Sequence, residues 1–351
     1  MSGRRLALVY PGDLETRTGG YRYDRQLALA LEARGWSVLR VALPAGFPLP
    51  SLAELATARE RLGELADGVT ALIDGLALGA MPGLAEELAA RLDLIGLVHH
   101  PLYLETGLPA AQATALRASE QRALAATRHV IVTSPFTAAL LTRELGVPAA
   151  RLTVAVPGTD PAPIARGSRD GAIRMLCVGT VTPRKGQVDL VQALCGATGP
   201  WRLEIVGSLE RDRTTAAALL ASIRAQGLDG RVHVLGELDD AALVAAYNRA
   251  DLLVSAARFE GYGMAIAEAL ARGLPVIAVA GGAVATTLPP EAGLLVPPDD
   301  AGALRASLQR FLVEPGLAQR LRRGAIAARD RLPRWSATAA IVERALQAGG
   351  A

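Results

Sequence analysis

The 351-residue chain has few of the residues that cross-link or anchor a protein. Its two cysteines, Cys177 and Cys195, stand among apolar or small residues, so we expect buried, reduced thiols and no disulfide framework. No run of about 18 uncharged apolar residues occurs, which argues against a membrane-spanning helix. The apolar segment at Leu6 to Tyr10 is too short for a signal peptide. These absences predict a cytoplasmic protein and leave peripheral contact with the inner membrane face open.

Charge of one sign and aromatic residues are also scarce. The formal net charge is +3 and aromatics make up 4% of the chain, so no nucleic-acid-binding surface is expected. Among 37 basic residues, Lys185 is the only lysine. A composition that prefers arginine so strongly draws attention to that position.

What the chain does have is length and aliphatic residues, enough for two domains with sizeable cores. Short aliphatic runs alternate with amphipathic helical stretches, which predicts parallel strands buried on both faces and joined by right-handed crossovers. Residues 157–172 are rich in Pro, Gly and Ser, as a linker is. We therefore predict an α/β protein with two Rossmann-like domains, residues 1–160 and 161–334, whose parallel sheets face an interdomain cleft.

The predicted strands are short. They cover residues 6–10, 37–42, 69–73, 94–99, 129–133 and 152–156 in the first half, and 174–178, 202–206, 232–235, 252–255 and 275–279 in the second. A charged helical stretch at 51–66 is predicted to be solvated rather than a membrane anchor.

The most informative segment runs from Phe259 to Leu270, between a predicted strand and a predicted helix. Free amides at a helix start face anions or sugar hydroxyls, and two glutamates nearby suit the sugar and the ribose of a long ligand. Alternatively, the first glutamate caps the helix and the second is solvated. The combination with glycines favours binding, and the candidate residues are Glu260, Gly261, Gly263, Met264, Ala265 and Glu268.

A second candidate is Arg184-Lys185, in the turn after the first strand of the second half. Ligands bind at the carboxyl ends of parallel strands, and a guanidinium beside an ammonium suits a diphosphate. The glycine spacing is not that of a Walker loop. A solvated pair of surface charges is the alternative.

Two weaker candidates lie in the first half. Gly19 and Gly20 open a helix without a Gly-x-Gly-x-x-Gly fingerprint, so they either let the backbone approach a phosphate or form a flexible loop. His99 ends a predicted strand and could bind a sugar hydroxyl or relay a proton, or be purely structural. No cluster has the spacing of metal ligands, so no catalytic metal is expected.

Together these motifs resemble the retaining glycosyltransferase family 4, which has the GT-B fold, over nearly the whole chain. The most specific part is the Glu-x7-Glu motif of Glu260 and Glu268 with Ala-Arg-Gly-Leu-Pro-Val-Ile after it. Two departures stand out. Ala285-Thr286 follows Gly281-Gly282 where the family commonly has Pro-Glu, and the frequent Asn before Gly158 is missing.

The resemblance implies roles for the candidates. Arg184 and Lys185 would bind the donor diphosphate, Glu268 the ribose, and Glu260 with the following amides the sugar. His99 would lie near the transferred sugar, and Gly19-Gly20 would approach the phosphates on domain closure. The C-terminal helix at about 335–351 would pack back on the first domain, which would bind the acceptor while the second binds the donor.

We therefore expect a metal-independent, retaining glycosyltransferase, of the hexosyltransferase kind, with no bound cofactor and a UDP-sugar or GDP-sugar as donor. The acceptor, a sugar, a lipid or a small molecule, and the oligomeric state are left open. Three alternatives are a nucleotide-sugar 2-epimerase of the same fold, a non-catalytic partner subunit and an NAD-dependent dehydrogenase, the last disfavoured by the missing glycine fingerprint.

Overall fold

The structure is a computed structural model that describes residues 4–105 and 107–348. The described chain divides into two compact units. The first unit extends to Gly158 and resumes at Pro333, and the second unit runs from Thr159 to Leu332. Each unit contains one six-stranded, all-parallel sheet. The predicted α/β architecture of two Rossmann-like folds is confirmed.

The sheet of the first unit has the strand order β2-β1-β3-β4-β5-β6. Every residue of β1 after the first is buried, because a parallel strand with helices on both faces has no solvent side. The strands are β1 (Arg5–Pro11), β2 (Ser37–Leu43), β3 (Thr70–Asp74), β4 (Asp93–Val98), β5 (His129–Val132) and β6 (Leu152–Val154).

Helices cover the first sheet, and most begin with a side-chain cap. Thr18 caps the first helix through Oγ1, and Ser51 with Glu54 forms a capping box at the second. These helices are α1 (Gly19–Glu32), α2 (Leu52–Gly63), α3 (Gly75–Leu78), α4 (Pro82–Leu88), α5 (Ala110–Ala126) and α6 (Pro135–Leu145), with 3₁₀ turns at Leu102–Leu104 and Ala149–Arg151. The stretch predicted to be a solvated helix is α2, and that prediction is only partly right, because Ala58 and Leu62 are fully buried in the core.

The sheet of the second unit has the order β12-β11-β10-β7-β8-β9. Its strands are β7 (Ile173–Val178), β8 (Trp201–Val206), β9 (Val232–Gly236), β10 (Leu252–Ser255), β11 (Val276–Val279) and β12 (Gly293–Val296). Its helices are α7 (Gln187–Ala193), α8 (Arg213–Ala225), α9 (Asp240–Arg249), α10 (Met264–Ala271), α11 (Val284–Thr287), α12 (Ala301–Val313) and α13 (Leu317–Ala328), with 3₁₀ turns at Pro183–Lys185 and Arg329–Arg331. Strand β12 was not predicted, because a four-residue edge strand with half-exposed positions leaves little periodicity to detect.

The C-terminal helix α14 (Trp335–Gln347) belongs to the first unit. The Trp335 ring meets Tyr23 of α1 edge-on at a centroid distance of 5.6 Å, and Thr338 Oγ1 donates a hydrogen bond to the Val156 carbonyl at 2.8 Å. Glu343 pairs with Arg34. Residues 349–351 of the predicted segment lie outside the described residues.

Three strands of the first unit end earlier than predicted, and this affects the candidate site. The last paired residues are Val98 of β4 and Val132 of β5, so His99 and Thr133 follow the strands rather than end them. Strand β6 likewise ends at Val154. Side chains just past the carboxyl end of a parallel strand are where such sheets place functional groups.

Two other expectations have structural outcomes. Cys177 is buried as predicted, but Cys195 is only half-buried, two residues past the end of the short helix α7. Across residues 4–105 and 107–348, no helix has both the length and the apolar character required to cross a bilayer.

Candidate active site

The two predicted sites of the second unit are in direct contact. Lys185 Nζ lies 2.6 Å from Glu260 Oε1, and Arg184 lies 3.8 Å from Glu260 Oε2. Lys185 and Glu260 are 75 residues apart in the chain, but they follow β7 and β10, which are neighbours in the sheet. The carboxyl ends of the two strands meet at one edge, and this brings the basic turn to the acidic loop.

Arg184 and Lys185 are not the solvated surface charges of the alternative interpretation. Their side chains are 18% and 19% exposed. Arg184 donates to the Phe259 carbonyl at 2.9 Å, and its own carbonyl accepts from the Arg258 amide at 2.8 Å. The basic turn is therefore fastened to the loop that carries Glu260.

Gln187, which the sequence did not single out, supports the same turn. Its Nε2 lies 3.1 Å from each of two carbonyl oxygens, those of Gly179 and Thr180, in the loop after β7. The residue is 1% exposed. A buried amide that ties loop carbonyls to the start of α7 fixes the geometry in which Arg184 and Lys185 are presented.

The Glu260 loop is held from its other side by the segment after β11. Glu260 forms an isolated parallel bridge with Gly282, and the Glu260 carbonyl accepts from the Ala283 amide at 2.8 Å. Thr287 of α11 donates through Oγ1 to the Tyr262 carbonyl at 2.6 Å. The segment in which the sequence departs from the family pattern at Ala285-Thr286 is thus a short helix that braces this loop.

Helix α10 begins at the glycine that the sequence predicted. Gly263 is the N-cap with φ +95°, a left-handed conformation that glycine adopts without steric cost, whereas Gly261 has no positive φ. The Gly263 carbonyl accepts from Ile266 and Ala267. The amides of Met264 and Ala265 belong to the first turn, where the helix offers no internal acceptor.

Glu268 is a positioned side chain rather than a freely solvated one. Its Oε2 lies 3.0 Å from the hydroxyl of Tyr247, a residue with no exposed surface, and that hydroxyl is also 3.3 Å from the Ala265 carbonyl. Arg272 binds the Glu268 carbonyl at 2.9 Å and lies over the Tyr247 ring. Glu268 lies about 6 Å along the helix axis from Met264, within the first two turns. The sequence did not single out Tyr247, because a tyrosine on an amphipathic helix is expected to be an ordinary core residue.

In the first unit, His99 meets two aspartates that the sequence did not single out. Its Nε2 lies 3.0 Å from Oδ1 of Asp24 on α1 and 3.6 Å from Oδ2 of Asp74 at the end of β3. Asp24 and Asp74 are 0% and 1% exposed. Asp74 also caps α3, since its Oδ1 accepts from the Leu76 amide at 2.6 Å.

Burial and proximity change the ionisation of this group. Burial, together with the neighbouring Asp24, raises the pKa of Asp74 to about 8, against the opposing effects of His99 and the Leu76 amide. Burial tends to lower the pKa of His99, but the two aspartates outweigh it and the pKa is raised. One potential metal-ligand atom from each of Asp24, Asp74 and His99 lies within 4.8 Å of the others. The expectation of no metal rested on spacing along the chain, which cannot reveal a cluster of this kind.

Gly20 adjoins His99. A Cβ atom built on Gly20 would lie 3.3 Å from His99 Cδ2, so a side chain there would push the His99 ring by a few tenths of an ångström. Gly19 and Gly20 form the first turn of α1, and Tyr23 one turn later meets the His99 ring edge-on at 5.2 Å. His99 and the glycine pair therefore share one site in the first unit, while the other candidates belong to the second unit.

Two family models match the chain. Residues 76–162 match Glycosyltransferase Family 4, and residues 162–328 match Glycosyl transferases group 1. The chain is a glycosyltransferase of the family 4 type. The predicted resemblance and the predicted glycosyltransferase enzyme are confirmed.

Solved structures match this glycosyltransferase over nearly its whole length. Sucrose-phosphate synthase from Thermosynechococcus elongatus has a TM-score of 0.83 at 24% identity and covers 97% of this chain and 98% of its own. HepE from Anabaena, solved in complex with UDP and glucose, has a TM-score of 0.78 at 17% identity, with 97% and 99% covered. At these identities the likeness concerns the fold, and the predicted GT-B fold is confirmed.

Curated relatives match over shorter stretches. An MMP α-(1→4)-mannosyltransferase from Mycolicibacterium hassiacum is 26% identical over 295 residues, which are 79% of this chain and 70% of the relative. The match spans between 41% and 59% of the length of six further curated relatives. The donor and acceptor of this glycosyltransferase are therefore matters for proposal.

Proposed function

We propose that this glycosyltransferase moves a hexosyl group from a nucleoside diphosphate sugar to an acceptor hydroxyl, with retention of anomeric configuration and without a metal ion. The observation that carries the proposal is the contact of Lys185 and Arg184 with Glu260 in the loop that leads into α10. Two fixed cations, one carboxylate and a helix N-terminus within one loop cluster match the pyrophosphate and sugar of such a donor.

The diphosphate would bind to Arg184, Lys185 and the amides of Met264 and Ala265. Negative charge grows on the leaving phosphate as the glycosidic bond breaks. Donors already held in place stabilise that charge without reorganising, and this is the main source of rate acceleration expected here. The anchoring of Arg184 on the Phe259 carbonyl and of the loop by Gln187 supplies the required rigidity.

The rest of the donor would bind along α10. Glu268, oriented by the Tyr247 hydroxyl, would accept hydrogen bonds from the ribose hydroxyls, and Glu260 with the neighbouring amides would bind the sugar. We assign His99 to the transferred sugar, and Gly19 and Gly20 to the approach of backbone to phosphate. Accordingly, the second unit would be the donor domain, and the first unit, including α14, the acceptor domain.

The proposed chemistry is attack from the face that the nucleotide leaves. The acceptor oxygen forms a bond to the anomeric carbon while the bond from that carbon to the phosphate oxygen breaks, and the acceptor proton passes to the departing phosphate. Glu260 is already paired with Lys185 at 2.6 Å, so we assign it to sugar binding and not to a covalent glycosyl intermediate. Closure of the site would limit transfer to water.

UDP-sugars and GDP-sugars are the proposed donors. UDP is present in the HepE structure, and the relative from Mycolicibacterium hassiacum is named a mannosyltransferase. A thermal-shift panel of UDP, GDP, ADP and NAD identifies the base, since a ligand that binds only the folded state raises the melting temperature. Incubation with matching nucleotide sugars and candidate sugar, lipid and small-molecule acceptors, read by mass spectrometry, then identifies the product.

The decisive variant is Lys185→Ala. We expect kcat to fall by roughly 10²–10³-fold, the usual loss for one preorganised donor at a developing charge, with the circular dichroism spectrum unchanged. Arg310→Ala is the matched control, because it removes one positive charge from an exposed helical pair with Glu314 and should change kcat less than about twofold. Normal turnover in Lys185→Ala would remove the diphosphate assignment. Loss of activity in EDTA that added Mg²⁺ or Mn²⁺ restores would remove metal independence.

A further inference from the structure

If both carboxylates next to His99 were ionised, they would carry two negative charges, and one protonated imidazole can neutralise only one of them. Two carboxylates, those of Asp24 and Asp74, lie with His99 in a region where the aspartates are 0% and 1% exposed and the histidine side chain is 18% exposed. Two ionised carboxylates so close together and so far from water repel each other and lose hydration. The arrangement therefore calls for a shared proton.

Hydrogen-bond geometry indicates which aspartate carries that proton. Asp24 Oδ1 is at hydrogen-bond distance from His99 Nε2, at 3.0 Å, whereas the 3.6 Å from Asp74 Oδ2 is too long for a hydrogen bond. The imidazole N–H is thus directed at Asp24. Asp24 Oδ2 is fully buried and has no hydrogen-bond partner among the residues that the structure describes. A buried carboxylate oxygen in that position lacks a donor, and Asp74, which has an oxygen within 4.8 Å of one of Asp24, can supply one in its acid form.

We propose that Asp74 is a neutral carboxylic acid whose proton is donated to Oδ2 of Asp24, and that the bridged aspartates position His99 by holding its Nε2–H. The protonation of Asp74 is proposed independently of the enzyme's function; only its effect on sugar transfer rests on the proposed role of His99. Asp74 is then a positioning residue, and Nδ1 is the ring nitrogen that Asp24 does not bind.

The electrostatics agree with this assignment. The charged groups that act on Asp74 are Asp24 and His99, and the pKa of Asp74 is raised to about 8, so the acid form dominates at neutral pH. The same two aspartates raise the pKa of His99. Tyr23 is another titratable group against the imidazole, and its hydroxyl donates to the Ala155 carbonyl at 2.9 Å. His99 is therefore held at Nε2 by a pair of aspartates that together carry one net negative charge.

The first test reads His99 directly in the free protein. The chain has four histidines, so ¹⁵N-edited NMR of the imidazoles, with His99→Gln for assignment, follows His99 through a pH titration. Asp24→Asn should lower the His99 midpoint by more than about 1 pH unit, since it removes the paired charge. Asp74→Asn should shift it by less than about 0.5 unit, since one neutral hydrogen-bond donor replaces another. Equal shifts in the two variants would show Asp74 to be ionised and overturn the proposal.

The second test separates a hydrogen-bonded acid from a bound metal. Purified wild-type protein should contain no stoichiometric metal by elemental mass spectrometry, and titration with Zn²⁺, Mn²⁺ or Mg²⁺ should leave the His99 signals in place. A divalent ion that binds with one equivalent and shifts those signals, with the shift abolished in Asp74→Asn, would overturn the proposal.

The third test concerns transfer. With Asp74→Leu, kcat should fall by roughly tenfold or more while the donor KM stays within about threefold, because His99 loses its support but the donor site of the second unit does not. Asp74→Asn should restore most of that loss, and it should lack the decline in rate that we expect in wild type when Asp74 ionises, with its pKa of about 8. A pH profile of Asp74→Asn that matches wild type would contradict the proposal. If no variant, wild type included, transfers sugar, the proposed function fails while the NMR result still stands.

Discussion

Glu120 provides a prediction whose size follows from the structure. It lies on α5 and is 1% exposed, with Oε2 accepting from the Leu102 amide at 3.0 Å and Oε1 buried without a hydrogen-bond partner among the described residues. Burial raises the pKa of Glu120 from 4.5 to about 8, and the Leu102 amide only partly opposes this. Glu120→Gln keeps an acceptor for Leu102 and removes the ionisation.

The sign and size follow from proton linkage. Below pH 4.5 both the folded and the unfolded chain hold the Glu120 proton, so the acid costs nothing extra. From pH 4.5 to about 8 only the folded chain holds it, and stability falls as pH rises, by about 1.4 kcal/mol per pH unit. At pH 7.5 the cost is about 4 kcal/mol relative to pH 4.5. The glutamine places an N–H donor without an acceptor where Oε1 lay, which costs about 1–3 kcal/mol at every pH. The protonated acid of wild type places an O–H donor there at a similar cost.

We therefore expect Glu120→Gln to match wild type within about 1 kcal/mol at pH 5 and to exceed it by about 2–4 kcal/mol at pH 8. Urea unfolding at several pH values measures this in a common Trp201→Phe background. The two remaining tryptophans, Trp36 and Trp335, then both report on the first unit.

Glu86→Gln is the control for Glu120→Gln. It removes a carboxylate from an exposed pair with Arg122 and should change stability by less than about 0.5 kcal/mol at every pH. If the curves of stability against pH for Glu120→Gln and wild type run parallel, the carboxyl is ionised in the folded protein and the reasoning is refuted.

Three further changes test the candidate site. Tyr247→Phe removes the hydroxyl that lies 3.0 Å from Glu268. Steady-state kinetics should show that the donor KM rises roughly 3–10-fold while kcat stays within about threefold of wild type. An unchanged KM would mean that Glu268 does not need the Tyr247 hydroxyl to bind the donor. Gly20→Ala should make the protein up to about 1 kcal/mol more stable, because alanine favours the first turn of a helix. It should nevertheless lower kcat about fivefold or more, because the new methyl group pushes on His99. A normal kcat would show that this contact has no role in transfer. Gly263→Ala forces an L-residue to φ +95°. Urea unfolding should show that the free energy of unfolding falls by about 1–2 kcal/mol, and donor binding should weaken. A variant as stable as wild type would contradict this φ value.

The sequence was sufficient to locate every described strand except β12 and to suggest the chemistry of single motifs. Buried parallel strands are continuous aliphatic runs, so β10 (Leu252–Ser255) was predicted at its observed bounds and the other predicted strands within one or two residues at each end. The helix start at Gly263 was also predictable, because a glycine between a strand and an apolar helical pattern marks a left-handed turn. Lys185 and Glu260 were each recognised separately, from residue type and position after a strand.

Contacts between distant segments were decided by the tertiary structure alone. The order of strands in a sheet cannot be derived from local periodicity. The 2.6 Å contact between Lys185 and Glu260 can therefore be inferred only when β7 and β10 are known to be neighbours. Asp24 and Asp74 have no motif around them, and only the packing of α1 against the ends of β3 and β4 brings them to His99. A side chain's partners, and with them its charge, depend on which chain segments the fold makes adjacent.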